Sequence, residues 1–281
     1  MQIKDLLHQA TQQLAAISDS ARLDAELLLC HCLNKSRSYL FTWPEAEPDQ
    51  QQQDCFQDVL QQRLSGQPVA YLLGYRDFWN LTLKVTPDTL IPRPETELLV
   101  ETALELLTRK SSPRILELGT GSGAIAIALA RDLPSANITA CDISAAALQV
   151  AQENARSYQL ENISFLHSDW FSHIPARPAF DLILSNPPYI AADDPHLTQG
   201  DIRFEPPDAL ASGADGLDDI RLLISQSPAF LQAGGVLMFE HGYDQGQETV
   251  KLMQAAGFND AHCRKDLAGH DRITLGHAPA G

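Results

Sequence analysis

Residues 114–123 read R-I-L-E-L-G-T-G-S-G and run on into A-I-A-I-A-L-A over residues 124–130. Arg114–Leu118 is mostly apolar, the composition of a short buried strand. Gly119, Gly121 and Gly123, with Thr120 and Ser122 between them, make a turn in which backbone can approach a ligand closely. Ala124–Ala130 then reads as a helix whose first N–H groups face that turn. The spacing Gly119-x-Gly121-x-x-Ala124 also fits a relaxed dinucleotide-binding fingerprint. Alone, it fits equally a tight strand-to-helix turn that binds nothing.

Downstream, Asn137–Cys141, Ile163–His167, Phe180–Ser185 and Gly235–Glu240 read as further strands. Helices are expected at Ser144–Ser157 and Gln245–Ala256, with a closing pair of strands at Asp260–Lys265 and Arg272–Gly276. Strands separated by helices predict an α/β fold, a mostly parallel sheet wound on both faces. Ligands of such sheets sit beyond the carboxyl ends of the strands, so the residues just after each strand are the candidates. Asp142 ends the second strand about 20 residues past the glycine turn, where a carboxylate can accept both hydroxyls of a ribose. Each such charge-assisted bond is worth roughly 1.5–3 kcal/mol. Its competing role is to cap the helix starting near Ser144. Ser168-Asp169-Trp170 follows the third strand. Trp170 suits a purine face, or a plain core position, and Asp169 could accept from an exocyclic amine. Together these residues describe a site for an adenosine-containing cofactor.

The fourth strand runs into Asn186-Pro187-Pro188-Tyr189. Consecutive prolines make a rigid turn without backbone donors and aim their carbonyls in fixed directions. Asn186 adds a side-chain carbonyl. The natural guest is a planar NH2 group, its two hydrogens held by Asn186 Oδ1 and the Pro187 carbonyl, with Tyr189 stacked on its plane. Such a nitrogen is a poor nucleophile because its lone pair is delocalised, and holding both hydrogens aims that pair at an electrophile. The combination resembles class I, Rossmann-like S-adenosylmethionine-dependent methyltransferases acting on exocyclic amines or amides. An activated methyl donor also accounts for the lack of an evident catalytic base, since alignment alone can remove several kcal/mol of barrier.

Upstream, the first 75 residues read as helices. Ile3, Leu6, Leu7, Ala10, Leu14 and Ile17 form one amphipathic stripe. Ser20 is placed to cap a second helix through Leu33. A third is expected from Asp49 to Ser65, with Phe56, Val59, Leu60 and Leu64 inward and Gly66 beyond its end. The pattern then shortens to alternating residues, predicting a hairpin or linker over 76–87. Ile91-Pro92-Arg93-Pro94-Glu95-Thr96-Glu97 begins extended and leads into a helix. The expected domains are therefore residues 1–75, the 76–87 connection, and 88–281.

Of 281 residues, 20 are Lys or Arg and 36 Asp or Glu, a net charge of −16. Non-specific affinity for phosphates needs a basic surface, so a nucleic-acid partner is not expected. The Ala124–Ala130 apolar run is far short of a membrane span, about 20 residues. No apolar leader follows Met1, and the chain is expected to be soluble and cytoplasmic. Its five cysteines show no C-x-x-C pair. Cys30-His31-Cys32 fits an apolar helix face better than a metal cluster, and no metal is expected.

Five stretches in order, I-P-R-P-E-T-E (91–97), E-L-G-T-G-S-G (117–123), S-D-W-F (168–171), S-N-P-P-Y-I (185–190) and D-I-R-F-E-P-P-D-A-L (201–210), resemble the PrmC/HemK family over essentially the whole chain. That family methylates the side-chain amide of the glutamine in the Gly-Gly-Gln motif of class I peptide chain release factors. The resemblance implies a seven-stranded class I methyltransferase domain behind a small helical domain that holds another part of the release factor. It implies that Gly119, Thr120, Gly121, Ser122, Gly123, Asp142, Trp170 and Asn186 line the S-adenosylmethionine site, with S-adenosylhomocysteine as product. Asn186, Pro187, Pro188 and Tyr189 would hold the glutamine amide, with Asn186, Pro187 and Tyr189 catalytic. The protein is expected to act as a monomer. The competing acceptors are a ribosomal-protein glutamine and a nucleic-acid exocyclic amine.

Overall fold

The computed structural model describes residues 1–177 and 179–279 and divides into two compact units. The first comprises Met1–Tyr75 together with Thr198–Phe204. It contains α1 (Ile3–Leu14), α2 (Ala21–Leu33), α3 (Arg37–Thr42), α4 (Gln50–Leu64) and α5 (Val69–Leu73). Their apolar faces close on one core containing Ile3, Leu7, Leu14, Leu28, Leu29, Leu40 and Phe56. Burying one such side chain stabilises by about 1.5–3 kcal/mol. Asp49 caps α4 through a reciprocal pair of bonds with Gln52.

Three expectations for this unit change. Ile17 is exposed, because α1 ends at Leu14. Ser20 does not cap α2 with its side chain; its hydroxyl donates to Asp24 instead. Cys32 does not simply face an apolar core: it forms a disulfide with Cys55 of α4, their Cα atoms 5.8 Å apart. A separation of 23 residues gives no local signal for that pairing. The helices α3 and α5, six and five residues long, are too short for a periodicity to show.

The D-I-R-F-E stretch is shared between the units. Asp201 belongs to the first, where buried Arg63 donates to it at 2.7 Å and to Asp24 at 3.0 Å. Glu205 belongs to the second, where it is buried and accepts from the Ile91 N–H and the Arg93 guanidinium.

The second unit, Arg76–Leu197 with Glu205–Gly281, begins with the hairpin of β1 (Tyr75–Phe78) and β2 (Leu81–Lys84). A 3-10 turn at Pro94–Thr96 leads into α6 (Glu97–Leu107). Then follow β3 (Arg114–Leu118), α7 (Ala124–Asp132), β4 (Asn137–Asp142), α8 (Ala145–Ser157), β5 (Ile163–His167) and β6 (Phe180–Ser185). The chain closes with α9 (Asp218–Gln226), β7 (Leu231–Glu240), α10 (Gly246–Ala255), β8 (Asn259–Lys265) and β9 (Asp271–His277). The seven strands run in the order β5-β4-β3-β6-β7-β9-β8. The first five in that order are parallel, and β9 is antiparallel to both β7 and β8.

β7 starts four residues earlier than its apolar run suggests. Gly234 takes φ +71° and Gly235 packs against the Phe180 carbonyl, so the glycine pair is an irregularity inside the strand rather than its start. The helix α9 follows A-S-G-A-D-G, whose glycines disguise it in the sequence. Among the described residues no helix is long and apolar enough to cross a membrane.

The order of strands places the site. The chain moves from β3 outward through β4 and β5, then returns to β6 on the other side of β3, which makes β3/β6 the switch point of the sheet. In register, Leu118 pairs with Cys141 on one side and Ser185 on the other. The Ser185 hydroxyl donates to the Leu118 carbonyl at 2.7 Å. Gly119, Asp142 and Asn186 therefore leave three adjacent strand ends together.

Candidate active site

A cavity of about 500 Å³ opens at those strand ends, a size suited to a small organic cofactor. Gly119, Gly121, Asp142, Trp170, Asn186 and Pro188 all line it. Thr120, Ser122, Gly123, Pro187 and Tyr189 do not. Thr120 is buried and donates to Glu117 Oε2 at 2.7 Å; Ser122 is buried and its carbonyl accepts from Asn154. Gly123 precedes α7 at φ +85°, and a Cβ there would press on Ile127 and Ala151. Glu117 accepts from the Ala126 N–H as well, and burial pushes its carboxyl up to about 8.

Asp142 is already partly engaged. Its oxygens accept from the Gly121 N–H and the Ser144 N–H, each at 2.8 Å. Two ionised oxygens offer about four acceptor positions, so capacity remains for hydroxyl donors from a ligand. Burial is the largest influence on its carboxyl and raises its pKa. The side-chain cap of α8 is Ser144, whose hydroxyl accepts from the Ala147 N–H. Trp170 stands at φ +45°, a left-handed conformation costly for a bulky residue. The Ser168 hydroxyl donates to its carbonyl at 2.8 Å and secures it.

The Asn-Pro-Pro-Tyr turn is held from elsewhere. Asn186 Nδ2 donates to Thr96 Oγ1 at 3.2 Å, and Thr96 Oγ1 donates to Glu240 Oε2 at 2.7 Å. Pro187 is buried. The Tyr189 hydroxyl donates to Glu240 Oε1 at 3.1 Å, and burial pushes that phenol's pKa up. The Tyr189 carbonyl accepts from Gln245 Nε2. Thus Tyr189 is tied at both ends, and Asn186 keeps Oδ1 for a guest.

Several functional neighbours carried no role in the sequence. Asp88, Asp208 and Asp219 line the cavity with Asp142 and Asp169, giving it a carboxylate-rich wall suited to a cationic ligand. Pro206, Asp208 and Ala209 come from the D-I-R-F-E-P-P-D-A-L stretch, whose order was the visible signal. A second depression, about 590 Å³, lies on the helical unit. Its guanidiniums, Arg22 and Arg37, are both paired with the buried Glu26. Among the described residues no cluster of His, Cys, Asp and Glu could hold a metal.

A family model described as the PrmC N-terminal domain matches residues 5–74, and one described as the methyltransferase small domain matches residues 94–203. The release factor glutamine methyltransferase of Vibrio cholerae is 47% identical over 275 residues, covering 98% of this chain and 96% of the relative. That of Pseudomonas aeruginosa is 50% identical over 259 residues, covering 92% and 93%. Among solved structures, a methyltransferase from Pyrococcus furiosus superposes with a TM-score of 0.52 at 14% identity, covering 79% of this chain and 98% of that one. A T. thermophilus 16S rRNA methyltransferase gives 0.53 at 19%, covering 72% and 49%; both are likenesses of fold. With such identity along nearly its whole length, the chain belongs to the release factor glutamine methyltransferase family.

Proposed function

We propose that this protein transfers a methyl group from S-adenosylmethionine to the side-chain amide nitrogen of the glutamine in the Gly-Gly-Gln motif of class I peptide chain release factors. The observation that carries the reading is the Asn186 side chain, anchored through Nδ2 to Thr96 at the edge of a cavity shared with Gly119, Gly121, Asp142 and Trp170. Family membership supports the acceptor and the reaction.

S-adenosylmethionine supplies a methyl group already activated by a cationic sulfur. The chain's own residues bind and aim. Gly119 and Gly121 leave room for the ligand at the strand end, and Asp142 retains acceptor capacity for ribose hydroxyls. The carboxylate wall offsets the ligand's positive charge. Asn186 Oδ1 and the Pro187 carbonyl accept the two amide hydrogens, which turns the nitrogen lone pair toward the methyl carbon. The amide nitrogen would take up the cofactor's methyl, the N–C bond replacing the C–S bond, and the nitrogen's surplus proton would pass to water. Specificity follows: glutamate brings no N–H donors and would leave both acceptors unpaired in a dry site. The helical unit, with Phe41 and Trp43 each 59% exposed at α3, offers apolar surface to another part of the release factor.

The test is incubation with S-adenosylmethionine and an unmethylated class I release factor, followed by peptide mapping by mass spectrometry. One added methyl on the Gly-Gly-Gln glutamine is expected, and none when that glutamine is replaced by glutamate. A methyl on ribosomal protein or RNA, with release factor untouched, would overturn the assignment.

A further inference from the structure

An asparagine amide can sit either way round, and only one way presents an acceptor to a substrate N–H. Nothing within the Asn186–Tyr189 turn decides between them. Glu240 does, from the end of β7. Its side chain is 1% exposed, with Oε2 on the Thr96 hydroxyl and Oε1 on the Tyr189 hydroxyl. An ionised carboxylate only accepts, so both hydroxyls must donate to it. The single hydrogen of Thr96 is then spent, and Thr96 Oγ1 can meet Asn186 only as an acceptor. That selects Nδ2 toward Thr96 and turns Oδ1 the other way. Thr96 itself is secured by the preceding segment, where buried Glu205 holds Ile91 and Arg93.

We propose that Glu240, acting through Thr96, is a positioning residue that fixes which end of the Asn186 amide faces the substrate. The inference deepens the methyl-transfer reading above and rests on it for its kinetic consequence alone. It also accounts for the I-P-R-P-E-T-E stretch, which carries one hydroxyl to the midpoint between Glu240 and Asn186.

The relay has a built-in sensitivity to protons. Burial pushes the Glu240 carboxyl up to about 6, opposed by the Thr96 and Tyr189 hydroxyls and by the Arg272 guanidinium, with Glu95 acting in the same direction as burial. Arg93, beyond Tyr189, is paired with Glu205. A protonated Glu240 can donate to Thr96, freeing the threonine hydrogen for Asn186 Oδ1 and reversing the amide.

Two measurements test this. In the protein without ligand, the Asn186 side-chain NH2 signals in a 15N–1H spectrum are expected to titrate with a midpoint of about 6, and to lose that titration in Glu240→Gln. In turnover with release factor, Thr96→Val is expected to lower kcat at least thirtyfold with the cofactor dissociation constant within threefold. Thr96→Ser, which keeps the hydroxyl, is expected to recover most of the rate and the acidic limb of the pH profile. An Asn186 signal indifferent to pH and to Glu240→Gln would overturn the relay, as would a fully active Thr96→Val. If the wild-type protein leaves release factor unmethylated while the Asn186 titration appears as described, the acceptor assignment fails and the relay stands.

Discussion

At the end of β3 the chain meets the cavity with backbone: Gly119 and Gly121 face it, while Thr120 turns inward to Glu117 and Ser122 is buried. This turn is held by its neighbours along the chain and, from the adjacent strand and helix, by Cys141, Asp142, Ala151 and Asn154. At the end of β6 the chain meets the same cavity with a side chain. Asn186 depends on Thr96, 90 residues away, and Thr96 depends on Glu240 across a separation of 144. A backbone site needs small residues and correct dihedral angles. A side-chain site needs its orientation fixed by remote partners. Under the proposed function, binding and chemistry fall to turns that can be damaged separately.

The sharpest way to break this division is at Asn186. Asn186→Ala is expected to cut methyl transfer by about 10³-fold, as for other acceptors and donors placed at a transition state, with cofactor affinity reduced much less. Comparable losses in both, read by single-turnover kinetics and calorimetric titration, would merge the two turns into one function. Asp142→Ala is the converse. Losing the carboxylate removes charge-assisted bonds worth roughly 1.5–3 kcal/mol each, so cofactor affinity is expected to fall at least tenfold while the rate at saturation changes little. Titration calorimetry checks it.

The glycine turn itself can be dissected. Gly121→Ala adds a methyl where no protein atom lies within 4 Å, at φ +56°. It is expected to reduce cofactor binding more than stability, the strain being about 1–2 kcal/mol. Gly123→Ala adds a methyl 2.9 Å from Ile127 and 3.1 Å from Ala151 at φ +85°. It is expected to cost a further 1–3 kcal/mol, roughly, through overpacking and to lower the melting temperature more than Gly121→Ala does. Equal melting temperatures would contradict the separation between lining and support.

The smallest expected effect concerns pH. Burial raises the folded Glu117 carboxyl to about 8 from an ordinary 4.5. The folded state therefore holds a proton that the unfolded state has lost. The associated stability is full below about 4.5 and disappears as pH rises through about 8. Glu117→Gln, which cannot ionise, is expected to show a fall in melting temperature between pH 6 and 9 smaller by a few degrees. An unchanged slope would count against a neutral Glu117.

This contrast also explains what could be read from the residues. β3 and β6 have the expected bounds because buried parallel strands are mostly continuous apolar runs. β5, an edge strand with no fully buried residue, has them through its alternation of Ile163, Phe165 and His167 with Ser164 and Leu166. Gly119, Asp142 and Asn186 were legible as strand-end residues once the sheet was inferred. Thr120, Ser122 and Gly123 read as lining only because sequence does not say which way a side chain turns. Glu240 and Thr96 were invisible as partners: each is an ordinary residue at a strand end or a helix start, and only the sheet order brings them to one place. The cavity carboxylates Asp88 and Asp208 come from connecting segments without periodicity, where no pattern fixes position, and Asp219 from the first turn of α9, the helix that the preceding glycines disguise. The Cys32–Cys55 pair is a long-range contact of the same kind.

The most direct test of the division between the two turns is a paired measurement on Gly121→Ala and Asn186→Ala: the cofactor dissociation constant, and the single-turnover rate with release factor at saturating cofactor. The account predicts that Gly121→Ala weakens binding and nearly restores its rate at saturation, whereas Asn186→Ala binds well and stays slow. Equal binding in both with equal loss of rate would contradict it.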